Sequence, residues 1–187
     1  MVKVNRKEAE PMKEGYVDNR FASLYYKEMG QGMPLIMLHG NGESHEIFAR
    51  LSELMSRYYR VILMDSRGHG SSLMKEEAAG GDLTIPDMAA DVVQVMEFLH
   101  VPRAVILGFS DGANVALETA SCYPGRVSAV VAVSGNALPR GMSAASLMEV
   151  KLKYALWRGL GKGAAAPGRQ GKGCEKPPAV RPYGQMA

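Results

Sequence analysis

A chain of 187 residues with 47% hydrophobic and 22% charged side chains is long enough for one domain with a real core and too short for two ordinary ones. Its formal charge of +3 hides a split, because residues 1–150 carry 14 basic and 18 acidic side chains while residues 151–187 carry 8 and 1. The start has no apolar core of signal-peptide length and no run of about 18 apolar residues occurs, so a cytoplasmic protein without a membrane span is expected. Cys122 and Cys174 lie far apart without metal-type spacing, so neither a structural disulfide nor a metal site is expected.

Taken in chain order, residues 1–15 read as a flexible lead-in. FASLYYKE, residues 21–28, reads as an early strand ending in the turn MGQG, with a partner near Tyr16. PLIMLHG (34–40) is a short buried strand. HEIFARLSELMSRY (45–58) has Ile47, Phe48, Leu51, Leu54 and Met55 at the spacing of a buried helix face, and RVILMD (60–65) is another strand. A helix starts near TIPDM, where Thr84 caps and Pro86 suits the first turn; Met88, Val92, Val95, Met96 and Leu99 form its stripe. In VILGFSDGANVALETA (105–120) an apolar, β-branched run stops at Gly108 and turns at once into an alanine-rich helix. VSAVVAVS (127–134) is the last strand.

From Gly159 to Ala187 the chain holds 7 Gly and 4 Pro, which predicts a basic tail without packed structure. It lacks the interleaved aromatics of a nucleic-acid arm, so no nucleic-acid partner is expected. GLGKGAAAPG resembles a phosphate loop only faintly, since no Ser or Thr follows its glycine-lysine pair and no strand precedes it.

Strands alternating with helices predict a three-layer α/β fold, a doubly wound and mostly parallel sheet with helices on both faces. Ligands of such sheets bind outside the carboxyl ends of the strands. The segments there are His39-Gly40-Asn41-Gly42, Asp65 to Gly70, Ser110-Asp111-Gly112 and Ser134-Gly135-Asn136. Gly108, Ser110 and Gly112 make G-x-S-x-G, which in a strand-turn-helix setting pushes a serine oxygen over the sheet edge and aims helix N–H groups at the same spot.

Four segments in order, HGNGES, DSRGHGSS, GFSDG and YPGRVSAVVAVSG, resemble the amino-terminal two thirds of an α/β-hydrolase fold protein over residues 16 to about 150. The hydrolase domain would then run over 16–158, with a lid-like start from about 140 and the tail over 159–187. The resemblance implies a serine hydrolase acting through an acyl-enzyme on an ester-like or related small molecule, without a cofactor. It makes Ser110 the nucleophile and the backbone N–H groups of Asn41 and Asp111 the oxyanion hole, with His39, Gly40, Gly42 and His69 lining the site. Asp111 reads as a backbone donor and a charge on the helix dipole rather than as an acid. His39 and His69 read as loop holders, and Asp65 with Arg67 as a loop-pinning pair.

The family's base and acid follow the nucleophile, in the order Ser, Asp or Glu, His. After Ser110 this chain has no histidine, and beyond the adjacent Asp111 its acids are Glu118, Glu149 and Glu175. A truncated or frame-shifted hydrolase accounts for both this gap and the change of composition, and leaves the sheet incomplete at its C-terminal edge, with the strand 127–134 open to self-association. A catalytically inert binding or regulatory protein that keeps the pocket is the alternative.

Overall fold

The computed structural model describes residues 12–76, 83–136 and 148. Within them, seven strands and three α-helices follow in order: β1 (Lys13–Asp18), β2 (Ala22–Met29), β3 (Met33–Leu38), α1 (Ala49–Met55), β4 (Tyr59–Met64), β5 (Leu73–Met74), α2 (Ile85–Phe98), β6 (Ala104–Phe109), α3 (Asp111–Cys122) and β7 (Val127–Val133). The strands form one sheet in the order β1-β2-β4-β3-β6-β7, with the short β5 on β2. Pairs β3-β4, β3-β6 and β6-β7 are parallel, whereas β1 and β5 on β2, and β2 on β4, are antiparallel.

Strand alternation divides the core between the two faces. Ile36, Leu38, Ile62, Met64 and Ile106 face Val92, Val95 and Met96 of α2 and Val115 and Ala116 of α3. Leu35, Met37, Val61 and Leu63 face Phe48 beside α1, with Leu51 and Met55 packed against them. Helices therefore cover both faces, as expected of strands that are apolar at every position. Thr84 caps α2, its hydroxyl accepting from the Asp87 N–H at 3.2 Å, with proline in the first turn.

The predicted helix over 45–58 is corrected in two ways. It opens with a 3-10 turn, His45–Phe48, and its α-helical part ends at Met55. Ile47 and Leu54, predicted inside, are 44% and 54% exposed. The face that reaches the sheet is the narrower stripe Phe48, Leu51 and Met55, one residue out of phase with Ile47 and Leu54. β5 has no counterpart among the predicted strands, since two residues are too few for a periodicity. The expectation of no disulfide fails at Cys122, which is disulfide-bonded; distance along the sequence carries no information on how closely two cysteines approach in space. Cys174 lies outside the described residues, as do the flexible lead-in up to residue 11, the lid-like segment apart from Met148, and the 159–187 tail. Among the described residues no helix is long and apolar enough to cross a membrane.

Among the described residues β7 lies at the end of the sheet, and all of its residues after Val127 are exposed apart from the half-buried Val130; Val131 and Val133 are 46% and 43% exposed. With four valines this strand is more β-branched than β3, yet among the described residues it lacks the cover that β3 has.

Candidate active site

The carboxyl ends of β4, β3, β6 and β7 stand side by side, so the four segments singled out in the sequence meet along one edge. Ser110 sits between β6 and α3 at φ 53° and ψ −117°, a conformation that a residue with a Cβ takes only when its surroundings impose it, at about 1–3 kcal/mol. Those surroundings are visible. The Ser110 N–H donates to the Val133 carbonyl at 2.8 Å, and the Ser110 carbonyl accepts from the N–H groups of Ala113 and Asn114 at 3.0 and 3.3 Å. A Cβ on Gly108 would lie 2.1 Å from the Gly112 carbonyl oxygen, and one on Gly112 would lie 2.2 Å from that of Leu38. Strand and helix are thus pressed together as only glycines allow. Asp111 opens α3, so its N–H belongs to the first-turn donors that have no partner within the helix.

The turn after β3 approaches the serine from the side. A Cβ on Gly40 would come within 3.0 Å of the Ser110 Cβ. Glu43 holds this turn, its carboxylate accepting from the Gly40 N–H at 3.0 Å while its own N–H donates to the Gly40 carbonyl at 3.3 Å. Gly42 supplies the positive φ of 73° that closes the turn, leaving Asn41 and Gly42 exposed beside the serine.

His39 beneath this turn is 2% exposed and has both ring nitrogens engaged. Nδ1 lies 2.7 Å from the Gly40 carbonyl, and Nε2 receives the Ser66 N–H at 3.0 Å. An acceptor on one side and a donor on the other fix the neutral Nδ1–H tautomer, and burial pushes the imidazole below its ordinary value near 6.5. As pH falls through about 6.5 the unfolded chain takes up this proton before the folded one, so stability is expected to drop on the acid side. Urea midpoints at pH 7.5 and 5.0 measure the drop, and it should be smaller in His39→Gln, which has no imidazole to charge. Equal drops in the two proteins would remove His39 as its cause.

The loop after β4 is built around two buried carboxylates. Asp65, 0% exposed, accepts from the His45 N–H at 2.6 Å, from the Ser71 N–H at 2.8 Å and from the His45 ring Nδ1 at 3.0 Å. Arg67 does not pair with Asp65, contrary to expectation. Its Nε and Nη2 reach Oδ2 and Oδ1 of Asp91 on α2 at 2.6 and 2.7 Å, a two-pronged ion pair in which both side chains are buried. Asp65 is already satisfied by the turn that carries His45, while the Arg67 fork reaches outward to the neighbouring helix. Asp91 also accepts from Asn19 Nδ2 at 2.8 Å, which ties the β1-β2 turn into the same network. Neither Asp91 nor Glu43 was singled out from sequence; an aspartate set between the apolar positions of α2 was the available sign for Asp91.

His69 at the end of this loop lies beside Asn41, 3.2 Å from Nε2 to Oδ1. The Asp111 carboxyl is held above the usual carboxylate range by burial, opposed by the nearby His69 and by a hydrogen bond from Asn114. The geometry thus brings Ser110, Asp111, Gly40, Asn41, Gly42, His39 and His69 to one place. Among the described residues no cluster of three His, Cys, Asp or Glu side chains would hold a metal ion.

A family model described as alpha/beta hydrolase fold matches residues 33–162. An AB hydrolase superfamily protein of Bacillus subtilis is 34% identical over 104 residues, 55% of this chain and 37% of that protein. A proline iminopeptidase of Neisseria meningitidis is 30% identical over 128 residues, 65% of this chain and 40% of that protein. A pimeloyl-[acyl-carrier protein] methyl ester esterase of Chromobacterium violaceum is 31% identical over 113 residues, 60% of this chain and 41% of that protein. Among solved structures, an N-acyl homoserine lactone degrading enzyme superimposes with a TM-score of 0.65 at 30% identity, covering 78% of this chain and 56% of the other. A hydrolase from Pseudomonas aeruginosa shares the fold with a TM-score of 0.64 at 24% identity, covering 76% and 52%. The chain spans 37 to 41% of the length of the three sequence relatives.

Proposed function

Because the chain belongs to the α/β-hydrolase fold family, we propose that it carries the nucleophile half of a serine hydrolase site for an ester-like or related small molecule. Ser110 Oγ, giving up its proton, would attack the substrate carbonyl, the N–H groups of Asn41 and Asp111 would donate to the oxyanion so formed, and its collapse would break the bond to the substrate's leaving group, which departs with the proton and leaves the acyl-enzyme. Each such donor contributes on the order of 3 kcal/mol in a transition state. The observation that supports this most is the imposed φ of 53° at Ser110, at the point where two further strand-end loops converge. Strain at a polar residue on an active sheet edge has a use if the hydroxyl must stand clear of the backbone.

A serine hydroxyl needs a base, and the four histidines of this chain, His39, His45, His69 and His100, all precede it. His39 has no free nitrogen, and His45 is turned by Nδ1 onto Asp65. These engagements favour a second reading, in which the chain by itself is a binding or regulatory member with a dormant site. Hydrolysis of p-nitrophenyl esters and labelling by a fluorophosphonate probe separate the two. The expected result for this chain is little or no turnover and slow labelling, confined to Ser110 and absent in Ser110→Ala, since a triad lacking members retains about 10³–10⁴ over water at best. Rapid stoichiometric labelling of Ser110 would overturn the dormant reading.

The uncovered β7 supports a further expectation, that two copies associate edge to edge along this strand. Gel filtration against concentration reports it, and Val131→Lys should shift the population to monomer. A monomer at every concentration, with slowly exchanging β7 amides, would count against it.

A further inference from the structure

The His69 ring joins the loop after β4 to the turn that carries Asn41. Its Nδ1 lies 3.1 Å from the Arg67 carbonyl oxygen and its Nε2 lies 3.2 Å from the Asn41 carboxamide oxygen. A carbonyl only accepts, so Nδ1 carries a proton. Nε2 is then bare in the neutral ring and protonated in the imidazolium. A carboxamide answers both, because it has a donor at one end and an acceptor at the other. The Asn41 Nδ2–H donates to a bare Nε2, and after a half-turn of the amide the Asn41 oxygen accepts from Nε2–H.

We propose that His69 is a positioning residue for the oxyanion turn, holding Asn41 by its carboxamide in both protonation states of the ring. The proposal rests on the reading of Asn41 N–H as an oxyanion donor. The turn needs such a hold at this point. Gly40 is fixed by Glu43, but Asn41 and Gly42 are exposed, and a Cβ on Gly42 would meet nothing within 4 Å. His69 is the side chain that reaches Asn41 from the neighbouring strand end. Two other titratable groups face the ring: the His39 imidazole, with ring centres 5.6 Å apart, and the Asp111 carboxyl at the start of α3. The carboxamide makes the bridge indifferent to the protonation state of the ring.

An aspartate at position 41 removes the indifference, since a carboxylate only accepts and bridges only to the imidazolium. The test uses the full chain and two readouts: the Asn41 backbone amide in ¹H–¹⁵N NMR spectra, and the second-order rate of Ser110 labelling by a fluorophosphonate from pH 5.5 to 8.5. His69→Ala is expected to shift and broaden the Asn41 amide and to slow labelling about tenfold, a fraction of the 10²–10³ lost with a whole oxyanion donor. His69→Gln, whose carboxamide still reaches Asn41, should recover most of the rate. In Asn41→Asp the rate relative to the parent should fall as pH rises through the imidazole range. An Asn41 amide unmoved by His69→Ala, or an Asn41→Asp profile parallel to the parent, would overturn the proposal. An amide that responds while labelling rates stay equal would instead overturn the oxyanion reading and leave the bridge standing. Should His69→Ala fail to fold, His69→Gln and Asn41→Asp carry the same comparison.

Discussion

Gly112→Ala is expected to destabilise the protein by about 3 kcal/mol, the upper end of what overpacking costs. The added methyl would lie 2.2 Å from the Leu38 carbonyl oxygen and 2.6 Å from that of His39. Both are backbone at the end of the central strand, so neither can swing aside as a side chain would. α3 has to back away from β3, and this displacement outweighs the roughly 1 kcal/mol that alanine gains over glycine within a helix. Against a typical total of about 5–15 kcal/mol the loss is large, and with a urea slope of about 1–3 kcal/mol/M it moves the midpoint by one molar or more. Gly125→Ala is the control, since a Cβ there meets nothing within 4 Å and is expected to change stability by less than about 0.5 kcal/mol. Equal midpoints for the two variants would show that β3 and α3 are not in forced contact. The retreat of α3 also carries the Asp111 N–H away from Ser110, so labelling of the serine should slow in the folded variant.

Arg67→Ala is expected to lose about 3–5 kcal/mol, because it leaves the Asp91 carboxylate, 1% exposed, without its charge partner. Asn19 remains as a donor at 2.8 Å, but a neutral amide does not replace a guanidinium fork. Burial opposes the charge on Arg67, yet the hydrogen-bonded Asp91 outweighs it and holds the guanidinium above its ordinary range, so the arginine stays charged throughout. Replacing both residues with apolar ones of similar size, Arg67→Met with Asp91→Leu, should recover most of the loss, since removing a buried pair whole is close to neutral. Chemical denaturation of the parent, Arg67→Met, Asp91→Leu and the double variant closes a double-mutant cycle. A double variant as unstable as the worse single one would mean that this pair contributes more than the removal of a stranded charge.

Much of this fold could be read from local pattern. Thr84 and Pro86 mark the start of α2 because capping acts within one turn of the chain, and Val105 to Gly112 mark the elbow because strand, turn and helix follow each other without a gap. The partnership of Arg67 could not be read this way. An arginine two residues from an aspartate suggests a local pair, whereas the partner lies 24 residues on, on a helix whose approach depends on the packing of the whole sheet. Ile47 and Leu54 misled for a related reason: periodicity shows that a face is apolar, not how much of it the sheet is wide enough to cover. The hold on Asn41 was equally hidden, since HGNG and RGHG are separate loops until the order of β3 and β4 sets them side by side.

That order also has a consequence for how the protein is made. β4 lies between β2 and β3, although both of these leave the ribosome first. Only the β1-β2 hairpin can close as it is synthesised. β3 must wait unpaired for α1 and β4, and its other side stays open until β6 arrives, about 70 residues later. Parallel pairs of such long sequence separation form slowly, because the loop between them must be ordered before any contact rewards it. A nascent chain stalled before residue 104 would therefore present the bare apolar edge of its central strand, a natural place for a chaperone to act.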